Sequence, residues 1–116
     1  MKRVLIVDDD LAILDSLSML LDDAYEVTTA RNGDEALRAF AAGVKPDAVV
    51  LDLMMPIMDG ETTVKALDSR GIAVPIILVS AANELAAIAS RLGVFGFVEK
   101  PIDAKALEHA LARAVR

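Results

Sequence analysis

Residues 4–21 read Val4-Leu5-Ile6-Val7-Asp8-Asp9-Asp10-Leu11-Ala12-Ile13-Leu14-Asp15-Ser16-Leu17-Ser18-Met19-Leu20-Leu21. The first four form a short apolar run, β-branched in part, of the kind shown by a strand buried on both faces. Leu11, Leu14, Leu17, Leu20 and Leu21 then recur at helical spacing. Three aspartates stand between the two patterns.

The same change of period repeats along the chain. Residues 25–30 read as a second strand, polar enough for a sheet edge, and Asn32-Gly33-Asp34-Glu35 opens a helix that stops at Gly43. Residues 48–51 form a third strand, followed by a helix over 61–69 closed by Gly71. Pro75 precedes a fourth strand, 76–79, and residues 84–92 form a helix ended by Gly93. Residues 95–98 are the fifth strand, and Asp103 caps a last helix over 104–114. Five strands alternating with five helices through short connections predict an α/β fold with a parallel sheet and right-handed crossovers.

The chain has 116 residues and a mass of 12.3 kDa, which fits one domain spanning residues 1–116. Hydrophobic residues make up 55% of it, enough for a packed core. Eighteen acids against twelve Lys and Arg leave a net charge of −6, so no basic face for nucleic acid is expected. Without Cys there is no disulfide or thiolate chemistry. Asp8-Asp9-Asp10 interrupts the apolar run behind Met1-Lys2-Arg3 far short of a signal-peptide core, and no apolar stretch is long enough for a bilayer. A cytoplasmic protein with no membrane segment is the expectation.

In open α/β sheets, ligands bind beyond the carboxyl ends of the strands. There the chain places Asp8, Asp9 and Asp10 after strand one, Asp52 after strand three, Ser80 after strand four and Lys100 after strand five. Converging carboxylates repel, at a cost of about 4 kcal/mol for a pair 4 Å apart near a protein surface. A raised pKa or a bound cation relieves this, and an oxygen-only donor set suits Mg²⁺. A carboxylate beside such a cation and a lysine can act as nucleophile toward a phosphoryl group.

At these residues the chain resembles a known family. Val7-Asp8-Asp9, residues 51–60 (Leu-Asp-Leu-Met-Met-Pro-Ile-Met-Asp-Gly), Ser80-Ala81 and Lys100-Pro101 resemble, in order and spacing, the receiver domain of two-component response regulators. The resemblance implies a flavodoxin-like, doubly wound five-stranded sheet of order 2-1-3-4-5. It makes Asp52 the phosphoacceptor, with Lys100 contacting the phosphoryl group and Ser80 supplying the switch hydroxyl. Asp8, Asp9, Asp52 and the Met54 carbonyl would hold Mg²⁺ or Mn²⁺, and Phe97 occupies the switch aromatic position, often Tyr. A cis Lys100-Pro101 bond is also implied. The implied function is a signalling module that accepts phosphate from a sensor histidine kinase or histidine phosphotransfer protein. It would then switch its helix 4–strand 5–helix 5 face toward an effector domain or protein, with a phosphorylation-linked homodimer as one outcome. It is no enzyme beyond the chemistry of its own aspartate.

Simpler readings exist for several of these residues. Asp10 reads as a helix cap, as does Asp59; Met54, Met55 and Met58 read as core and loop packing. Phe95 and Phe97 share a strand face by parity, and packing under the fourth helix is expected of them. His109, in the last helix, reads as a surface residue. An EF-hand is excluded, because the required Gly and closing Glu are missing. An aspartyl-phosphate hydrolase needs its nucleophile after strand one and a cap insertion. A flavin carrier needs a Gly- and hydroxyl-rich loop where three aspartates stand. A degenerate receiver would lack motif residues that are intact here.

Overall fold

The computed structural model describes all 116 residues. In chain order the elements are β1 (Lys2–Val7), α1 (Leu11–Leu21), β2 (Tyr25–Ala30), α2 (Gly33–Ala41), β3 (Ala48–Asp52), α3 (Gly60–Ser69), β4 (Ile76–Ser80), α4 (Leu85–Leu92), β5 (Gly96–Glu99) and α5 (Ala104–Ala114). All strand pairs are parallel, in the order β2-β1-β3-β4-β5. The expected alternation, sheet order and flavodoxin-like winding are therefore present.

The central strands are buried on both faces, and their parity sorts the core into two layers. Leu5, Val7, Val49, Leu51 and Leu78 pack with Leu37 of α2, Val64 and Leu67 of α3, and Leu85 and Ala89 of α4. Val4, Ile6, Val50, Ile77 and Val79 pack on the opposite face with Leu14, Leu17 and Leu21 of α1 and Leu107 and Leu111 of α5. Burying each large aliphatic side chain contributes roughly 1.5–3 kcal/mol. Helix starts are capped as expected by Asp10, Asp59 and Asp103, and Asn32 caps α2 as well.

Departures from expectation are local. β1 starts at Lys2, because Lys2 and Arg3 pair with Tyr25 and Glu26 of the edge strand. Arg3 Nε donates to Glu26 Oε2 at 3.0 Å, a polar pairing that an apolar run does not reveal. α4 starts one residue late, since the Glu84 side chain caps nothing.

The expected packing of Phe95 and Phe97 under α4 is not observed. Phe97 keeps 41% of its surface exposed and Phe95 is also exposed, because β5 is the sheet edge and no further strand shields them. Phe95 lies just before β5, where strand parity no longer governs it, and the Arg113 guanidinium stands 5.9 Å from its ring centroid.

Gly60 marks the closest backbone approach near the carboxyl end of β3. Its N–H donates to the Leu53 carbonyl at 2.9 Å, and a Cβ there would lie 2.6 Å from the Asp52 carbonyl oxygen. At Gly96 a Cβ would meet nothing within 4 Å. Gly60→Ala should therefore cost about 2 kcal/mol or more in urea unfolding, while Gly96→Ala stays within about 0.5 kcal/mol of the parent. Equal effects would show that crowding at Gly60 is not what requires glycine.

Candidate functional site

Extended β1, β3, β4 and β5 deliver four side chains to one end of the sheet. Asp8 follows β1, Asp52 ends β3, Ser80 ends β4 and Lys100 follows β5. Each is held by continuation of the ladder. Asp8 N–H donates to the Ala30 carbonyl (3.1 Å), Leu53 N–H to that of Val79 (3.0 Å) and Lys100 N–H to that of Ser80 (2.9 Å). These residues surround an open cleft of about 490 Å³, with Asp9, Met54 and Ala82 on its walls.

Within the cleft, Lys100 Nζ lies 3.2 Å from Asp8 Oδ2 and 3.4 Å from Asp52 Oδ1. Both carboxylates are buried. Asp10 N–H holds the other oxygen of Asp8 at 2.9 Å, and Met54 N–H approaches Asp52 Oδ1 at 3.4 Å. Burial first, and the Asp8 charge second, push the Asp52 carboxyl up to about 6, against the pull of Lys100. For Lys100, burial acts to lower the pKa, but the two carboxylates outweigh it and hold it above its usual value.

Carboxylate oxygens of Asp8, Asp9 and Asp52 lie within 4.8 Å of one another. No nitrogen or sulfur donor belongs to this group, so its chemistry fits a hard cation such as Mg²⁺ or Mn²⁺. One ammonium against three carboxylates leaves the cluster short of positive charge. Neutralisation by a cation would relieve the Asp8 repulsion that adds to burial in raising Asp52.

Of the residues expected at the site, Asp8, Asp9, Asp52, Met54, Ser80 and Lys100 come together here. Phe97 does not, and lies half-exposed on β5. The buried Ser80 hydroxyl accepts from Ala82 N–H at 3.1 Å and makes no bond to Asp52. Met55 is buried and Met58 half-buried, but the Met54 side chain is 70% exposed, so the packing role expected of it is not observed. Asp10 caps α1 through its side chain, at 2.9 Å from Ala12 N and 3.4 Å from Ile13 N. Its backbone N–H, which orients Asp8, carries no sequence signal, because every residue but proline has one. The Lys100-Pro101 bond is cis.

Residues 4–112 match the family described as the response regulator receiver domain. The chain belongs to this family, the receiver domains of two-component signalling. It is 40% identical over 114 residues to the response regulator MprA of Mycolicibacterium vanbaalenii, covering 96% of this chain and 48% of that protein. A second MprA, from Mycobacterium ulcerans, is also 40% identical over 114 residues, covering 96% of this chain and 47% of that protein. The chain thus spans about half the length of the curated relatives it matches. Among solved structures, the receiver domain protein of Clostridium thermocellum superposes with a TM-score of 0.90 at 28% identity, covering 99% of this chain and 94% of that one. The chemotaxis protein CheY4 of Vibrio cholerae gives 0.87 at 34% identity, covering 98% of each chain.

The elevated Asp52 pKa has a consequence for stability. Its folded value, about 6, lies above the ordinary carboxyl value of 3.8, so the folded protein binds the proton more tightly. Ionised Asp52 therefore costs stability above pH 6, and the cost fades as the pH falls through 6 toward 3.8. In metal-free buffer, Asp52→Asn should be more stable than the parent at pH 8 by on the order of 1–3 kcal/mol. The gain should vanish near pH 4 in urea titrations. A less stable Asp52→Asn at pH 8 would mean that the Lys100 pair outweighs burial.

Proposed function

We propose that the chain is a phosphorylation-controlled signalling module whose acceptor is Asp52. The observation that carries this reading is one ammonium, Lys100, set between two buried carboxylates in an open cleft. Asp52 attacks phosphorus through a carboxylate oxygen, forming an O–P bond as the N–P bond of a donor phosphohistidine breaks. The ionised carboxylate is the attacking form, and burial with the nearby Asp8 charge raises its pKa from the ordinary value to about 6. Lys100 is placed to offset charge on the phosphoryl oxygens, and Ser80 to donate to one of them. Asp8, Asp9, Asp52 and the Met54 carbonyl would hold Mg²⁺ or Mn²⁺, which when bound supplies the remaining charge neutralisation.

The donor is a sensor histidine kinase or a histidine phosphotransfer protein. An apolar groove formed by Ile13, Leu17 and Leu20 of α1 with Pro101 and Ile102 shares Lys100 with the cleft, giving a protein donor a surface to rest on. Output runs through Ser80. When its hydroxyl turns toward the phosphoryl group it releases Ala82 N–H, and the β4–α4 connection is free to move. Phe97, half-exposed on β5, turns inward into the vacated space and remodels the α4–β5–α5 face. An effector domain or protein, or a second copy in a phosphorylation-linked homodimer, reads that face. The acidic surface argues against direct nucleic-acid binding, and no helix is long and apolar enough to cross a membrane. We place the module in the cytoplasm, where kinase and effector domains meet.

Intact-mass measurement after incubation with acetyl phosphate and Mg²⁺ tests the acceptor. One added phosphoryl group is expected, absent from Asp52→Asn. Addition that persists in that variant would place the acceptor elsewhere and defeat the reading.

The lifetime of the phosphoryl group follows from the cleft walls. Water must attack the phosphorus in line, and Met54 and Ala82 flank the opening without a group to orient it. Self-dephosphorylation should be slow. Met54→Asn and Ala82→Gln should each accelerate decay of the purified phosphoprotein, and the double variant should do so by on the order of tenfold to a hundredfold. Identical decay in all four proteins would remove these walls from the account.

A further inference from the structure

The acidic cluster takes Asp8 and Asp9 from the loop after β1 and Asp52 from the last residue of β3, which leads into the loop of residues 53–59. A third segment, outside the cleft, touches both. Asp8 N–H donates to the carbonyl of Ala30 at 3.1 Å, and three residues later Gly33 N–H donates to the carbonyl of Met58 at 3.3 Å. The end of β2 thus continues the ladder to Asp8, and across a two-residue turn the start of α2 donates to the second loop.

The turn is stiff enough to serve as a fixed support. Asn32 Oδ1 accepts from Glu35 N–H at 2.9 Å, capping α2. The Glu35 carboxylate reaches back to Arg31, accepting from its backbone N–H at 3.0 Å and from Nε at 3.2 Å. The backbone N–H of Arg31 contributes most to holding the Glu35 carboxyl below its usual range. Gly33 lies so close to Met58 of the second loop and Thr63 of α3 that any side chain there would force them to shift. A Cβ there would lie 2.0 Å from Thr63 Oγ1 and 2.8 Å from Met58 Cγ. Thr63 is itself fixed, buried and donating to the Asp59 carbonyl at 2.7 Å.

The gripped loop needs an external hold. Met58 N–H donates to the Pro56 carbonyl at 2.8 Å, which closes a three-residue turn with Ile57 at φ 71°. Positive φ is rarely adopted by a β-branched residue, and this turn geometry is strained. Ile57 is 84% exposed, so no packing of its own side chain compensates. Such strain persists only where the surroundings over-determine it. Gly33 binds the carbonyl of the very next residue, and Gly60 anchors the far end of the loop against Leu53.

We infer that the β2–α2 turn is a clamp that sets the spacing between the loop carrying Asp8 and Asp9 and the loop that follows Asp52, with Gly33 as its positioning residue. It acts through Met58 and Thr63 on the loop carrying Met54, and through Ala30 on Asp8. The inference rests on the cation-binding reading of the cleft for its effect on Mg²⁺, but the mechanical coupling does not. A side chain at position 33 should shift residues on both loops and spoil the metal geometry, although nothing at position 33 touches the cleft.

The test compares the parent with Gly33→Ala, Gly33→Ala/Thr63→Ala and Asn32→Ala, using the full chain. Backbone amide resonances are recorded in metal-free buffer and then through a titration with Mg²⁺, and thermal stability is measured in parallel. In Gly33→Ala the amides of Asp9, Asp10 and Met54 should move before any metal is added. Mg²⁺ affinity should fall about tenfold, in line with losses at groups that support metal ligands. Thr63→Ala makes room for the new methyl and should restore much of both. Shifts confined to residues near 33 and 58–63, with unchanged Mg²⁺ affinity, would overturn the clamp and leave Gly33 a packing residue only. If Gly33→Ala does not fold, Asn32→Ala decides. It loosens the turn without adding bulk and should move the same amides by smaller amounts, and stationary Asp9 and Met54 amides would overturn the inference. A parent that takes up no Mg²⁺ would sink the cation-binding reading, while the metal-free shifts still judge the clamp.

Discussion

One ammonium shared between two buried carboxylates is the interaction around which the rest of the site is arranged. Without Lys100, Asp8 and Asp52 would face each other in a cleft where burial already disfavours charge. With it, they sit close enough to act together and remain incompletely neutralised. The protein thus tolerates locally unfavourable electrostatics that a cation or an incoming phosphoryl group with its counter-ion can relieve. The chemistry follows from that imbalance more than from any single residue.

The parallel sheet makes the arrangement available. Strands running in one direction end together, so residues far apart in sequence converge without a long loop. Asp8 and Lys100 are separated by 92 positions and still lie within hydrogen-bonding distance. The two core layers hold the strand ends in place, and loops extended from the ladder inherit that rigidity. Mobility is expected where this support thins, at the exposed ring of Phe97 on the sheet edge and at an α4 start without a side-chain cap.

Much of this was legible in the residues. Apolar runs and leucine spacing located all ten elements, and Asp10, Asp59 and Asp103 announced helix starts. Strand order came only from the resemblance, because periodicity shows that strands exist and not which are neighbours. The grouping of Asp8, Asp52, Ser80 and Lys100 followed from their places at strand ends. Phe95 and Phe97 were misread, since parity gives the side of a sheet but not whether a helix covers it at the edge. The left-handed backbone of Ile57 was hidden for a different reason. A β-branched residue argues against that conformation, and only the bonds from residues 33 and 60 show why it is held.

The sheet order also bears on how the chain can assemble as it is made. β1 lies between β2 and β3, so every pairing partner of the first three strands among themselves has been made once residue 52 has emerged from the ribosome. Synthesis proceeds at roughly 5–20 residues per second, which leaves a few seconds before residue 100 appears. During that interval both aspartates are present and their lysine is not. Any pairing of the earlier strands in that interval leaves their acidic end without its ammonium, and β5 with Lys100 both covers the β4 edge and supplies that charge. Docking of the final strand and completion of the charged cluster are thereby one and the same step, because Lys100 follows β5 directly.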